Sequence, residues 1–439
     1  MTYKPSMFSY RSDSADGMII YNSLGGTKSI RKISETNRER INELFETDVI
    51  EEERLNGLDE LVRLGYFVPV DFDEKLNRKR MQMEHIARGS LMLVVHTTKA
   101  CNFRCKYCAL DFEPQYMDQQ GCEGVIKFVR RNIAKYNSLF IDWFGGEPLL
   151  GMETIEQISK EVTELCRRAK KPYYSGITTN GYLLTPEVVE KLIKMKVYSY
   201  IVTLDGIKNT HDNQRILANG EGSFDQIIAN LEYIRDHVSL HAVKVIIRTN
   251  ITADINEKLE DYYNFMNEKF GQDKRFSLFI RPAGDWGGER VKQFADHLIH
   301  EVDMDGVLYR LADQVKDIKY NLNFEDLDFA GTTCSAAMMN KYVFGCDGLI
   351  SKCDTCNEER AIGRMEDGKL LIDRGKENAW TLGYRYQDEE CDDCYFSGSC
   401  FMGACPKAVI CDGRKNCARK SQIDSLLLLY VRSTETEVI

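Results

Sequence analysis

The chain has 439 residues, 43% of them hydrophobic and 29% charged, with a formal net charge of −10. That length leaves room for about three domains with buried cores, the acidic balance argues against broad binding to nucleic acid or anionic membranes, and no run approaches the roughly 18 apolar residues of a membrane span. With no secretion-type opening, a cytoplasmic setting is expected, and in a reducing compartment 15 cysteines point to metal ligation where they cluster.

Gly17 to Ser34 predicts two short strands around the turn-rich Asn22-Ser23-Leu24-Gly25-Gly26. Apolar residues at three- and four-residue spacing predict helices over Glu35 to Phe45 and Glu51 to Leu64, and Gly65 to Val70 reads as a returning strand. Residues 1–75 therefore form a winged-helix-like module. Asp73 to Arg88 is charged and amphipathic, so 76–90 is expected to be a solvated linker helix with a boundary near Gly89.

Strands and helices then alternate. The strands are Leu91 to Thr97, Leu139 to Phe144, Ser175 to Thr179, Val197 to Leu204, Val243 to Thr252 and Phe276 to Pro282; the helices include Gly121 to Tyr136, Met152 to Lys170, Pro186 to Met195, Ser223 to Val238 and Asn256 to Lys269. Six such repeats predict an α/β fold with a parallel sheet over 91–310, open or closed into a partial (β/α)6 TIM-like barrel, with ligands beyond the carboxyl ends of the strands. From about Thr332 the alternation fades and cysteines become dense. The segment 311–425 thus reads as a domain held by metal as much as by a core, and 426–439 as a C-terminal tail.

The loop after the first of these strands is Cys101-Asn102-Phe103-Arg104-Cys105-Lys106-Tyr107-Cys108. Gaps of three and two residues let one loop wrap three corners of an iron–sulfur cubane and leave the fourth iron open to a small chelator. A structural zinc site completed by a distant ligand is the alternative, although zinc prefers closed pairs. Further along come Phe144-Gly145-Gly146-Glu147-Pro148, whose glycines allow close backbone approach and whose Glu147 can accept from an ammonium. Thr178-Thr179-Asn180-Gly181, Thr203-Leu204-Asp205-Gly206, His211-Asp212 and Arg215 follow, then Arg248-Thr249-Asn250 on the fifth strand.

This order resembles the radical S-adenosylmethionine (SAM) family, whose signature is C-x3-C-x-aromatic-C after the first barrel strand. The resemblance implies that Cys101, Cys105 and Cys108 hold a [4Fe–4S] cluster whose open iron is chelated by SAM. Reductive cleavage then yields a 5′-deoxyadenosyl radical that abstracts hydrogen. It further implies that Tyr107 lies by the adenine, that Gly145, Gly146, Glu147, Pro148 and Thr179 border the cofactor, that Thr203 meets its polar atoms and that Arg215 meets its carboxylate. Thr179-Asn180-Gly181 also suits a plain turn, and Arg215 a surface cation. Asp205 and Asp285 stand near strand ends where a carboxylate can accept a substrate proton, or serve structure alone.

The second cluster comprises Cys334, Gly348 and Cys353, then Cys391, Cys394, Cys400, Cys405, Cys411 and Cys417. It resembles the SPASM domain of radical SAM enzymes, which carries two auxiliary [4Fe–4S] clusters, three clusters in all. The family pattern implies Cys334, Cys353 and Cys405 for the first and Cys391, Cys394, Cys400 and Cys417 for the second, with Asn416-Cys417 and Lys420 marking the closing segment. Two points depart from it. Phe401 to Ala404 puts four residues where the family has three, and Cys346 either completes the first auxiliary cluster or stands by. A pair of zinc knuckles is the competing reading. Cys166 falls on a helical apolar face and reads as core; Cys122 and Cys356 have no assignment.

The module at 1–75 resembles the leader-recognition element of SPASM enzymes that act on ribosomally made peptides. An extended leader can add as a strand to a hairpin edge; a stabilising or dimerising wing is the alternative. The resemblance implies a peptide maturase of the thioether-forming sactipeptide or ranthipeptide type. Its partners would be a precursor peptide and an electron donor such as flavodoxin or ferredoxin, with no nucleic acid and no membrane. Carbon–carbon cross-linking, maturation of a folded protein, and a non-catalytic iron–sulfur or zinc regulator are the other readings.

Overall fold

The computed structural model describes residues 1–110, 112–285, 289–300, 303–315, 321–355, 357–383, 389–400, 405–413, 415 and 417–439. Cys356, the stretch 401–404 and Asn416, singled out above, lie outside these residues. No described helix is long and apolar enough to cross a membrane.

The first six strands are β1 (Thr2–Pro5), β2 (Ser9–Ser14), β3 (Gly17–Asn22), β4 (Arg31–Ile33), β5 (Ile50–Glu51) and β6 (Phe67–Pro69). They build two small antiparallel sheets ordered β5-β1-β6 and β2-β3-β4. The β3–β4 hairpin is the expected one. β1 and β2 have no counterpart in the sequence reading, because Thr-Tyr-Lys-Pro and Ser-Tyr-Arg-Ser-Asp-Ser lack apolar alternation; they exist as ladder partners of their neighbours. The helix Glu35–Phe45 has the expected bounds. The helix expected over 51–64 is instead β5, one 3-10 turn and a short helix, Asp59–Arg63. Gly57 at φ +80° interrupts it, a backbone state that no helix contains.

β3 also joins the module to the rest. Met18 and Ile20 fill the module's own core with Ile41, Leu44 and Phe67, whereas Ile19 and Tyr21, on the opposite face by the two-residue strand period, enter the main core. The Tyr21 hydroxyl donates to the Leu327 carbonyl at 2.6 Å.

The linker is a helix, Glu74–Ile86, but it is solvated on one face only, with Glu74, Arg78, Gln82 and Ile86 buried on the other. Arg78 is completely buried and donates to the Cys391 carbonyl (3.1 Å), Ser397 Oγ (2.8 Å) and Asp392 (2.6 Å), and Gln82 donates to the Ser397 carbonyl. The buried face is polar, so hydropathy marks it as exposed; its partners are supplied from the far end of the chain.

β7 (Ser90–Thr98), β8 (Ser138–Gly145), β9 (Tyr173–Thr179), β10 (Val197–Thr203), β11 (Lys244–Ile251) and β12 (Phe276–Pro282) run parallel in chain order. Helices cover their outer face, where Leu91, Leu93, Val95, Leu139, Ile141 and Trp143 are buried. Alternation turns Met92, Val94, His96, Phe140, Asp142 and Phe144 to the interior. This is the expected partial (β/α)6 TIM-like barrel. β13 (Lys341–Phe344) then pairs parallel with β7, and β14 (Leu349–Ser351), β15 (Ala361–Glu366) and β16 (Lys369–Ile372) follow antiparallel. The cysteine-rich segment therefore extends the barrel's own sheet to ten strands, with β12 and β16 at its edges.

The segment from 426 onward begins inside a helix, Ile423–Ser433, whose Leu426, Leu427, Leu428 and Leu429 are buried. This helix packs on the helix Met304–Gln314 and on β2.

Candidate functional site

The cysteine loop leaves the carboxyl end of β7 and is held from two sides. The Arg104 and Lys106 amides donate to the carbonyls of Ile216 (2.8 Å) and Gln214 (3.0 Å), so the chain beyond β10 lies against it. From the other side the turn after β8 presses in. A Cβ on Gly145, which sits at φ +131°, would lie 2.2 Å from the Thr98 carbonyl oxygen, and one on Gly146 would lie 2.2 Å from that of Ala100. The two glycines, read above as room for a ligand, here make room for the backbone that carries the cysteines.

Cys105 is buried and Cys101 and Cys108 are half-buried. Burial first, and the neighbouring thiols with it, push the Cys101 thiol up to about 11 and that of Cys105 to about 12. Thiols so placed keep their protons near neutrality unless a metal centre displaces them. Three soft donors on one loop fit iron–sulfur ligation. Beside them Asn102 Nδ2 and Arg215 Nε are buried with no hydrogen-bond partner, which suits a site completed by a polar ligand.

Glu147 is fully buried and accepts from Thr179 Oγ1 (2.7 Å) and from the amides of Asn180 (2.8 Å) and Leu149 (3.1 Å). Burial raises its pKa against those bonds. The Thr179 hydroxyl is thus committed to Glu147, and the Pro148 carbonyl accepts from Thr97 Oγ1 at 3.0 Å. Asn180 Nδ2 donates to Asn102 Oδ1 (2.8 Å) and lies 4.0 Å from Cys101 Sγ.

On the opposite side the Tyr107 hydroxyl donates to Asp205 and accepts from Arg215 (2.7 Å) and Asn250 Nδ2 (3.1 Å). Asp205 also accepts the Asn250 amide at 2.8 Å and lies 3.6 Å from Arg215. Burial raises the Asp205 pKa, with Arg215 opposing. This carboxylate already accepts from Tyr107 and twice from Asn250, and Asp285 is exposed beyond β12. The Asp205 amide donates to His211 Nδ1 (3.1 Å), whose ring burial holds neutral by lowering its pKa to about 3. Thr203 is buried at the end of β10, and Arg248 Nε on β11 donates to Asn250 Oδ1 at 3.2 Å. Asn102, Asn180 and His211 are the contributors that sequence reasoning left without a role. Asn180 and His211 sat inside motifs already noted, Thr-Thr-Asn-Gly and His-Asp-x2-Arg.

The later cysteines fall into groups. Cys391 is pushed to about 11 by burial, then by Cys400, Cys417 and Cys394 beside it. Cys334 is pushed to about 12 by burial with Cys353 nearby, and burial likewise raises Cys405, again beside Cys353. Cys346 Sγ lies 3.8 Å from the Gln115 carbonyl oxygen, with Asp347 and Lys99 adjacent. Cys166 and Cys122 are buried among the outer helices. No described cysteine forms a disulfide, and among the described residues no three His, Cys, Asp or Glu side chains are gathered as for a single metal ion.

Residues 95–266 match the Radical SAM superfamily. They form a radical SAM domain. Beyond this domain the likeness runs to whole maturases. The cysteine-type anaerobic sulfatase-maturating enzyme of Clostridium novyi (strain NT) is 26% identical over 342 residues, 71% of this chain and 87% of that protein. The serine-type enzyme of Bacteroides thetaiotaomicron is 25% identical over 353 residues, 73% and 83% of the two chains. The radical SAM cyclopropyl synthase TigE of Paramaledivibacter caminithermalis is 29% identical but spans only 39% of this chain and 38% of its own length. Among solved structures, native anSMEcpe with bound AdoMet superposes with a TM-score of 0.62 at 16% identity, over 78% of this chain and 98% of that one. Streptococcus suis SuiB bound to precursor peptide SuiA does so at 0.51 and 15%, over 92% and 95%. At such identities these two speak for the fold, in which the radical SAM domain is one part of a longer common architecture.

Proposed function

We propose that the chain is a peptide-modifying radical SAM enzyme that forms thioether links from cysteine sulfur to carbon in a ribosomally made precursor. The observation that carries this reading is the loop at the mouth of the barrel, where three thiols on one turn lie between the Gly145–Glu147 turn and the Tyr107–Asp205–Arg215 network. When bound, a cluster on Cys101, Cys105 and Cys108 with SAM supplies a 5′-deoxyadenosyl radical, and auxiliary clusters supply an acceptor for the electron released on bond formation.

The chain's own residues do the rest. Glu147, Thr203 and Arg215 hold polar atoms of the cofactor, Tyr107 walls it, and the barrel interior keeps water from the reacting carbon. The groups Cys391, Cys394, Cys400, Cys417 and Cys334, Cys353, Cys405 are the auxiliary ligand sets, and the first 75 residues are the precursor-binding module. Relatives named as maturases, and SuiB with its precursor peptide, support a peptide or protein substrate.

Anaerobic reconstitution tests the reading. The reduced protein with SAM should release 5′-deoxyadenosine, and a precursor encoded beside it should lose two hydrogens per link, with fragmentation placing each link at a cysteine. Absence of 5′-deoxyadenosine removes the enzyme reading. Loss of two hydrogens with every cysteine free selects carbon–carbon cross-linking or another oxidation of the peptide. Release of 5′-deoxyadenosine with an unaltered precursor selects a second reading, maturation of a protein substrate, which the long match to the sulfatase-maturating enzymes favours.

A further inference from the structure

β4 is the outer strand of β2-β3-β4, and its free edge is taken by the chain itself. The Lys32 amide donates to the Glu437 carbonyl (3.0 Å), the Ile439 amide donates to the Lys32 carbonyl (2.9 Å), and the Ser34 amide donates to the Ile439 carbonyl (2.7 Å). The added segment runs parallel to β4 with Val438 opposite Lys32. A strand edge left open is a template for another extended chain, and here a resident segment occupies it.

The side chains alternate along that segment. Val438 is 63% exposed. Its two neighbours turn to the module: Glu437 lies 3.0 Å from the Arg31 guanidinium, which also holds Glu60 at 2.7 Å, and Ile439 packs on the module's core. The edge therefore offers a cation and an apolar seat two residues apart.

The attachment is slight. It consists of one short bridge, one ion pair with a largely exposed carboxylate, and one half-buried aliphatic side chain. The helix before it is anchored independently, through its buried leucines and through Arg432 bound to Asp16 (2.8 Å) and Asp313 (2.6 Å). Residues 437–439 can leave β4 while that helix stays in place.

We propose that residues 437–439 are a resident stand-in for a peptide ligand of the β4 edge, displaced by an extended segment with an acidic residue two positions before an aliphatic one. This rests on the reading of the amino-terminal module as peptide-binding, and names the chemistry of its partner. Tethered by only three residues, the stand-in acts at an effective concentration on the order of millimolar, so an incoming peptide binds in competition with it.

A fluorescent peptide of residues 432–439, Arg-Ser-Thr-Glu-Thr-Glu-Val-Ile, is the probe. The full chain carrying Glu437→Ala and Ile439→Asp, which empties the edge, should bind it at least about 10-fold more tightly than the unaltered chain. A peptide carrying Glu437→Lys should bind the emptied chain about 10-fold more weakly and recover when Arg31→Glu is added. Equal binding by the two chains overturns the resident role, and indifference to Glu437→Lys overturns the partner chemistry. Amide exchange gives a second reading on the unaltered chain. Excess peptide should speed exchange at Ile439 while Lys32 and Ser34 stay protected, and an unchanged Ile439 counts against the proposal. Neither measurement involves radical chemistry, so failure to form 5′-deoxyadenosine leaves both outcomes readable.

Discussion

The Tyr107 hydroxyl is hydrogen-bonded to the Asp205 carboxylate across the mouth of the barrel, tying the cysteine loop to the end of β10. Arg215 and Asn250 converge on the same hydroxyl, so one phenol satisfies three buried polar groups. Tyr107→Phe strips all three of a partner and is expected to cost about 1–3 kcal/mol. Urea denaturation should register that loss, and reconstituted protein should retain iron while releasing less 5′-deoxyadenosine.

Gly146→Ala drives a Cβ to 2.2 Å from the Ala100 carbonyl oxygen. Backbone must move, at roughly 1–3 kcal/mol or more, and it is the backbone that carries Cys101. Iron bound after reconstitution should fall while the circular dichroism spectrum is kept. Gly306, on the helix Met304–Gln314, has open space around its Cβ position, and Gly306→Ala should stabilise by about 0.5–1 kcal/mol as a control.

Arg78→Met removes a fully buried cation and leaves the Cys391 carbonyl and Ser397 Oγ without that donor, while Asp392 keeps its pair with Lys79 at 3.1 Å. Breaking such a pair costs about 3 kcal/mol. Limited proteolysis should then cut between the amino-terminal module and the cysteine-rich segment, and Arg78→Lys should rescue poorly because the acceptors are served by two separate guanidinium nitrogens, a spread that one ammonium nitrogen does not match.

Stability should depend on pH through three buried groups. Burial lowers His96 to about 4 and His211 to about 3 from 6.5. Below pH 6.5 the unfolded chain holds more protons than the native one, so stability falls as pH drops toward 4. Asp142 is pushed by burial from 3.8 to about 7, so the native state holds its extra proton across that window and stability declines as pH rises through it. The two trends oppose. Asp142→Asn should steepen the rise in urea midpoint between pH 4 and 6.5, and the variant should exceed the parent above pH 7.

Cys417 stands beside Cys391, whereas Cys346 faces Gln115 and Lys99. Cys417→Ser should therefore lower the iron bound per chain, and Cys346→Ser should leave it unchanged. Equal losses in the two variants would count Cys346 among the ligands.

Much of the site was legible because its signals are local. Cys101, Cys105 and Cys108 share one loop, and Gly145 to Glu147 one turn, so spacing alone placed each group at a strand end. Their neighbours were another matter. Asp205 reads as a candidate proton acceptor in isolation, and only the approach of Tyr107, Asn250 and Arg215 shows the structural network it belongs to. Helix Glu74–Ile86 was misjudged for the same reason: charge predicts solvent, unless partners such as Asp392 and Ser397 arrive from far along the chain.

The sequence by itself determined the six parallel strands and the cysteine loop, since strand-like runs alternate with covering helices through short connections. Tertiary structure decided the rest: that β13 joins β7 and carries the cysteine-rich segment onto the barrel's sheet, that Arg78 of the linker helix reaches Asp392 and Ser397, and that residues 437–439 lie on β4. Each of these depends on hydrogen bonds or burial between segments remote in sequence, where neither hydropathy nor spacing leaves a mark.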